Sequence, residues 1–142
     1  MGTILVVNGP NLNQLGTRQP EIYGTQTLAD IESAMTARAE TLGLRLRFFQ
    51  SNSEGALIDF LQQHHGTASG LIINPGALSH YSYALYDCLV ALSLPVIEVH
   101  LSNLHARERF RHTSVTMVAA KGAIIGLGLQ GYLLALDYLS GR

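Results

Sequence analysis

Thr3-Ile-Leu-Val-Val7, followed at once by Asn8-Gly-Pro-Asn-Leu-Asn13, is the stretch on which the fold turns. The apolar run reads as a strand, and the Gly/Pro/Asn-rich segment after it reads as a loop. A helix is expected to begin near Thr27, with Leu28, Ile31, Met35 and Leu42 at helical spacing and Gly43 as its stop. Leu44 to Phe49 alternates Leu and Arg before two Phe, the pattern of a strand near a sheet edge. Ser53 can cap a helix carrying Leu57, Ile58 and Leu61, which Gly66 ends. Gly70 to Ile73 is a short buried strand, Tyr83 to Leu92 a helix with Leu85, Leu89 and Leu92 inward, and Val96 to Val99, started by Pro95, a fourth strand. Val115 to Ala119 is expected as the fifth strand, and an apolar helix from about Ala123 to Leu139 is expected to lie against the sheet.

Strands alternating with helices call for a parallel sheet, because each parallel pair needs a crossover and the crossovers are right-handed. The expected fold class is therefore α/β: an open five-stranded parallel sheet of flavodoxin-like order 2-1-3-4-5 with helices on both faces. In that order ligands bind at the carboxyl ends of the strands, where the chain direction reverses between strands 1 and 3. Three segments should converge there: Asn8 to Tyr23, Asn74 to His80, and Glu98 to Arg111.

Composition narrows the function classes. The chain has 142 residues, 47% apolar and 13% charged, with a net charge of -1. One domain over residues 1–142 is expected at about 150 residues per domain. No basic field for nucleic acid is available. No apolar run reaches the ~20 residues of a membrane span, and the start carries no secretory pattern, so a cytoplasmic location and no membrane partner are expected. The single cysteine, Cys88, makes no intramolecular disulfide and reads as a small core residue.

The three converging loops hold the chemistry. The first carries Arg18 and Tyr23 between Gly16, Pro20 and Gly24, and resembles a lid. A guanidinium beside a phenol favours the phenolate, but for an isolated Arg and Tyr five apart the plainer reading, Tyr23 packing the loop and Arg18 solvated, is preferred on the residues alone. The second, Asn74-Pro-Gly-Ala-Leu-Ser-His80, ends a buried strand and has a glycine that lets backbone approach a ligand. In the third, strand alternation puts Glu98 and His100 on one side, so the carboxylate can orient the imidazole, or the two can form a satisfied core pair. Of Arg107, Arg109 and Arg111, a helix surface accounts for at least two, and one could reach an anionic or polyhydroxylated ligand.

Other motifs lose weight. Gly126-Leu-Gly-Leu-Gln-Gly131 matches a dinucleotide fingerprint, but the acidic residue required ~20 positions on has no room in the sequence, so small residues for helix-sheet packing are expected. A phospho-receiver needs acids where Asn8 and Asn74 stand. The spacing of His100, His105 and His112 matches no compact metal motif. Lys121, the only lysine, is placed after strand 5 and away from the crevice, against Schiff-base chemistry.

Taken in order, Asn8-Gly-Pro-Asn-Leu-Asn, Leu-Gly-x-Arg18-x-Pro-x-x-Tyr23-Gly, Asn74-Pro-Gly-Ala, Glu98-Val-His100-Leu-Ser-Asn and Gly-Leu-Gly-x-Gln-Gly-Tyr132 resemble the type II 3-dehydroquinate dehydratases over essentially the whole chain. That resemblance implies a flavodoxin-like lyase without metal or organic cofactor, assembled as a trimer-based homododecamer, that interconverts 3-dehydroquinate and 3-dehydroshikimate in the shikimate or quinate pathway. It further implies Tyr23 as general base, Arg18 as its cation, Asn11 holding the enolate oxygen through a water, and His100 as general acid oriented by Glu98. Asn74 with the backbone of Leu101 and Ser102 would bind the substrate carboxylate, His80 and Arg111 the ring hydroxyls, and Asp87 would arrive from a neighbouring subunit. Loose matching over Ser114 to Ala120 is expected to concern strand 5 rather than the site. The competing expectation is a non-catalytic module of the same fold that binds a small carboxylate.

Overall fold

The computed structural model describes residues 2–17 and 19–141. Five parallel strands form one sheet in the order β2-β1-β3-β4-β5: β1 is Thr3–Asn8, β2 Arg45–Gln50, β3 Gly70–Asn74, β4 Val96–His100 and β5 Gly122–Ile125. The expected fold class and strand order are both present. All of β3 and β4 and nearly all of β1 are buried, whereas β2 is half exposed at its edge, as its Leu/Arg alternation requires.

The sheet's pleat divides the core in two. Ile4, Val6, Ile72 and Val99 face one side, under α1 (Leu28–Leu42) and α4 (Leu129–Ser140), through Ile31, Met35, Tyr132 and Leu136. Leu5, Val7, Leu71 and Ile73 face the other, under α2 (Glu54–His64) and α3 (Tyr83–Ala91), through Leu57, Leu61, Leu85 and Leu89. Each such side chain contributes roughly 1.5–3 kcal/mol on burial. Local signals set the helix ends. Thr27 and Asp30 form a reciprocal capping box, Ser53 and Ser82 accept from Ala56 and Leu85 N–H, and Gly43 leaves α1 at φ 71°. Cys88 is buried, and burial pushes its thiol pKa up, which keeps it unreactive.

The C-terminal third differs from its expectation. Thr116–Ala119 is a 3-10 turn, and the fifth strand is Gly122–Ile125, inside the stretch expected to be helical. The ladder explains this. Lys121 N–H donates to Val96 O at 2.7 Å and Gly126 N–H to His100 O at 3.0 Å, so residues 121–126 occupy the whole length beside β4. Residues 115–119 are instead drawn into a turn, with Ser114 Oγ accepting from Met117 N–H and the Thr116 side chain fully buried. Gly126 at φ 89° and Gly128 at φ 57° then reverse the chain, so the last helix starts at Leu129 and not near Ala123. Gly131 does serve helix-sheet packing: a Cβ there would lie 3.3 Å from both Ile124 and Val99 side chains. Lys121 precedes β5 instead of following it, and so stands at the end of the sheet away from the carboxyl ends.

At those carboxyl ends β1 and β3 are locked together. Tyr132 Oη, fully buried on α4, donates to Asn8 Oδ1 at 2.6 Å and accepts from Asn74 Nδ2 at 3.1 Å, while Gly9 N–H donates to Asn74 O at 2.8 Å. Burial holds the Tyr132 phenol far above its ordinary pKa, so it remains a neutral donor. A Cβ on Gly9 would lie 2.7 Å from the Pro75 carbonyl carbon, so the two loops leaving β1 and β3 touch through backbone alone. Gly9→Ala is therefore expected to cost about 1–3 kcal/mol in urea unfolding, as an overpacked core does; an unchanged midpoint would show that the loops can part.

Candidate active site

The segments after β1, β3 and β4 enclose a cleft of about 210 Å³ at the carboxyl ends of the strands, lined by Asn11, Tyr23, Asn74, His80, His100, Leu101, Ser102, Arg107 and Arg111 among others. The convergence expected of the three loops is thus present. Arg18 lies outside the described residues. Asp87, exposed on α3, does not line the cleft of its own chain.

The segment after β1 is more ordered than a bare loop. Leu12–Gln14 and Pro20–Tyr23 form short helical turns, pinned by buried Leu12 and Leu15. Asn11 sits at φ 72°, a left-handed conformation that asparagine tolerates, with its N–H donating to Asn52 Oδ1 at 2.9 Å. Pro20 opens the turn that brings Tyr23 to the cleft.

Arg107, which the sequence offered only as one of three arginines and did not single out, lines the cleft beside Tyr23. Its Nη1 donates to Tyr23 Oη at 2.8 Å and to Ser102 Oγ at 3.2 Å, and its guanidinium carbon lies 5.0 Å from the Tyr23 ring centroid. Its Nε is buried with no hydrogen-bond partner among the described residues. The signal was present but ambiguous. Three alternating arginines read as one surface, yet Asn103 caps a 3-10 turn at Leu104–Ala106 and Arg107 closes it, turned inward. Arg111 also reaches the cleft, with Nε 3.1 Å from Glu108 Oε1.

Toward the carboxyl end of β4, Glu98 is 0% exposed and His100 5%. His100 Nε2–H donates to Glu98 Oε2 at 2.7 Å, as the alternation of β4 requires. Ser114 Oγ donates to the same oxygen at 2.7 Å and Thr116 Oγ1 to Oε1 at 2.5 Å. Residues 114–116 therefore concern the site directly, contrary to the expectation that they bear on strand 5. An ionised carboxylate only accepts, and here its two oxygens face three donors. With Nε2 committed to Glu98, Nδ1 is the ring nitrogen left for the cleft.

Asn74 Oδ1 accepts from Gly76 N–H at 3.1 Å, which fixes its amide with the NH2 toward Tyr132. His80 Nδ1–H donates to Thr113 O at 2.9 Å. Burial lowers the His80 pKa, the Thr113 carbonyl works against that, and the charges of His100 and Arg111 add to the lowering. The sign of the linkage follows. Below about pH 6.5 the unfolded chain takes this proton and the folded one resists it, so stability falls as pH drops through that range. His80→Gln is expected to flatten the fall of the melting temperature between pH 7 and 5; parallel curves for the two proteins would contradict it.

Comparison with known proteins accords with this geometry. Residues 2–140 match the family model for class II dehydroquinase. A 3-dehydroquinate dehydratase of Bacillus subtilis (strain 168) is 57% identical over 139 residues, covering 98% of this chain and 94% of that protein. The crystal structure of a type II dehydroquinase from Propionibacterium acnes superposes with a TM-score of 0.96 at 45% identity, covering 100% of this chain and 98% of the other. That of a type II dehydroquinase from Butyrivibrio crossotus DSM 2876 gives 0.95 at 44% identity, with 97% of each chain covered. A chain whose loops bring a guanidinium-held tyrosine and a carboxylate-held histidine into one cleft, and which matches these proteins along its whole length, belongs to the class II dehydroquinase family.

Proposed function

We propose that this cleft reversibly dehydrates 3-dehydroquinate to 3-dehydroshikimate by anti elimination through an enolate. The observation that carries the reading is the pairing of Tyr23 with Arg107 in the same cleft as His100 with Glu98. The substrate is a hydroxyl-bearing ring ketone with a carboxylate. Loss of water from it needs a base for the proton beside the ketone and an acid for the departing hydroxyl.

Tyr23, as phenolate, takes that proton. Arg107 supports the negative oxygen at 2.8 Å, and Arg18 is assigned a share of the same task. The electron pair left on carbon becomes an enolate, whose oxygen Asn11 holds through a water. Collapse of the enolate then expels the hydroxyl, to which His100 gives a proton, so that water leaves and the enone remains. Glu98 balances the imidazolium. Asn74 with the backbone of Leu101 and Ser102 receives the carboxylate, and His80 and Arg111 receive ring hydroxyls. The cationic lining from Arg107 and Arg111 supports an anionic substrate.

The unit of activity is proposed to be residues 1–142 as one domain, cytoplasmic, assembled from trimers into a homododecamer in which Asp87 completes a neighbour's cleft. Exposure of Tyr81, Tyr83, Phe110 and Val118 supports self-association. No described helix is long and apolar enough to cross a membrane.

Two experiments test the reading. Purified, chelator-treated protein mixed with 3-dehydroquinate is expected to give a catalysed rise in the ultraviolet absorbance of the conjugated enone, and a flat trace would overturn it. Tyr23→Phe is expected to lower kcat by about 100-fold or more, and Arg107→Gln by about tenfold or more, in line with the loss of a general base and of its charge partner. Turnover of Tyr23→Phe within a few-fold of the parent would assign the proton to another group.

A further inference from the structure

We propose that Thr116 is a positioning residue for the reaction: its hydroxyl, beside that of Ser114, holds the Glu98 carboxylate aimed so that His100 presents Nδ1 to the substrate. This rests on the dehydratase reading of the cleft. Glu98 is sealed from water, and no Lys or Arg forms an ion pair with it among the described residues. Its oxygens are instead met by side-chain donors, His100 among them.

The donors divide unevenly. Oε2 accepts from both His100 and Ser114, whereas Oε1 accepts only from Thr116 among the described residues. Ser114 Oγ accepts from Met117 N–H, so its single proton is committed to Glu98. Thr116 Oγ1 lies 3.1 Å from Ser114 Oγ, but its one proton serves Oε1 at the shorter 2.5 Å. Without that hydroxyl, Oε1 is a buried charged oxygen facing no donor. The carboxylate then loses the contact that fixes its Oε1 edge and can rotate toward Ser114. That rotation weakens the counter-charge that the His100 imidazolium needs when it acts as acid, without touching the groups that hold the substrate. Thr116 thus acts on kcat, through Glu98 and His100, and leaves KM in place.

Three variants separate the hydroxyl from the shape of the side chain. Thr116→Val keeps the shape and removes the hydroxyl; Thr116→Ser keeps the hydroxyl and removes the methyl; Thr116→Ala removes both. In the enone assay, kcat is expected to fall by about tenfold or more in Val and Ala, the scale of one hydrogen bond to a charged group, with KM within about threefold and Ser close to the parent. The Ser-to-Ala comparison stands alone if Val does not fold. Values of kcat that are equal with and without the hydroxyl, or a Ser variant as slow as Ala, would overturn the inference. An inactive parent protein would instead overturn the dehydratase reading. A readout that needs no turnover separates the two: the proton NMR signal of His100 Nε2–H, drawn downfield by Glu98, is expected to move upfield or vanish in Ala and to persist in Ser. An unmoved signal in Ala would contradict the proposed role.

Discussion

A carboxylate that is 0% exposed and, among the described residues, paired with no Lys or Arg is costly unless its oxygens are filled by donors, and Glu98 imposes that requirement on the end of β4. Three donors meet it, and meeting it shapes the chain nearby. Ser114 and Thr116 turn inward, the residues after them close a 3-10 turn, and the strand that pairs with β4 is deferred to Gly122–Ile125. The same demand fixes the His100 ring by its Nε2 and so selects which nitrogen faces the cleft. Local backbone path and catalytic geometry here share one electrostatic cause.

The opposite side of the cleft solves the converse problem. Arg107 is a partly buried cation whose Nη1 donates to Tyr23 Oη and Ser102 Oγ, and whose Nε has no hydrogen-bond partner among the described residues. Glu108 Oε1 stands 3.7 Å from it but is itself held by Arg111. Two guanidiniums thus share one carboxylate on this wall of the cleft, which suits an anionic ligand. Glu98, His100 and Arg107 all come from β4 and the segment after it, Tyr23 comes from the segment after β1, and the Asn8, Asn74 and Tyr132 network ties the ends of β1 and β3 to the last helix. Rigidity there is built from neutral hydrogen bonds, whereas the charged groups stand where the chemistry is.

Much of this was legible in the sequence for definite physical reasons. Apolar runs fixed β1, β3 and β4; Thr27, Ser53 and Gly43 marked helix ends; the two-residue period of β4 put Glu98 beside His100. The misplaced fifth strand shows the limit. Val115 to Ala119 has the apolar content of a strand, and nothing local reveals that a buried carboxylate eighteen residues before Thr116 claims its hydroxyl. Gly122-Ala-Ile-Ile125 looked like the start of a helix because its ladder partner is β4, a long-range fact. Arg107 was hidden for a related reason: periodicity says which residues share a face, but not that a short capped turn points one arginine inward.

The central claim is that the charge on Glu98, and not merely its shape, makes His100 competent. Glu98→Gln keeps the shape and removes the charge, so its steady-state kinetics with 3-dehydroquinate, read beside its melting temperature, test the claim most directly. The account predicts a folded protein with KM within a few-fold of the parent and kcat lower by about 100-fold or more. A folded Gln variant that retains kcat within about threefold would contradict it.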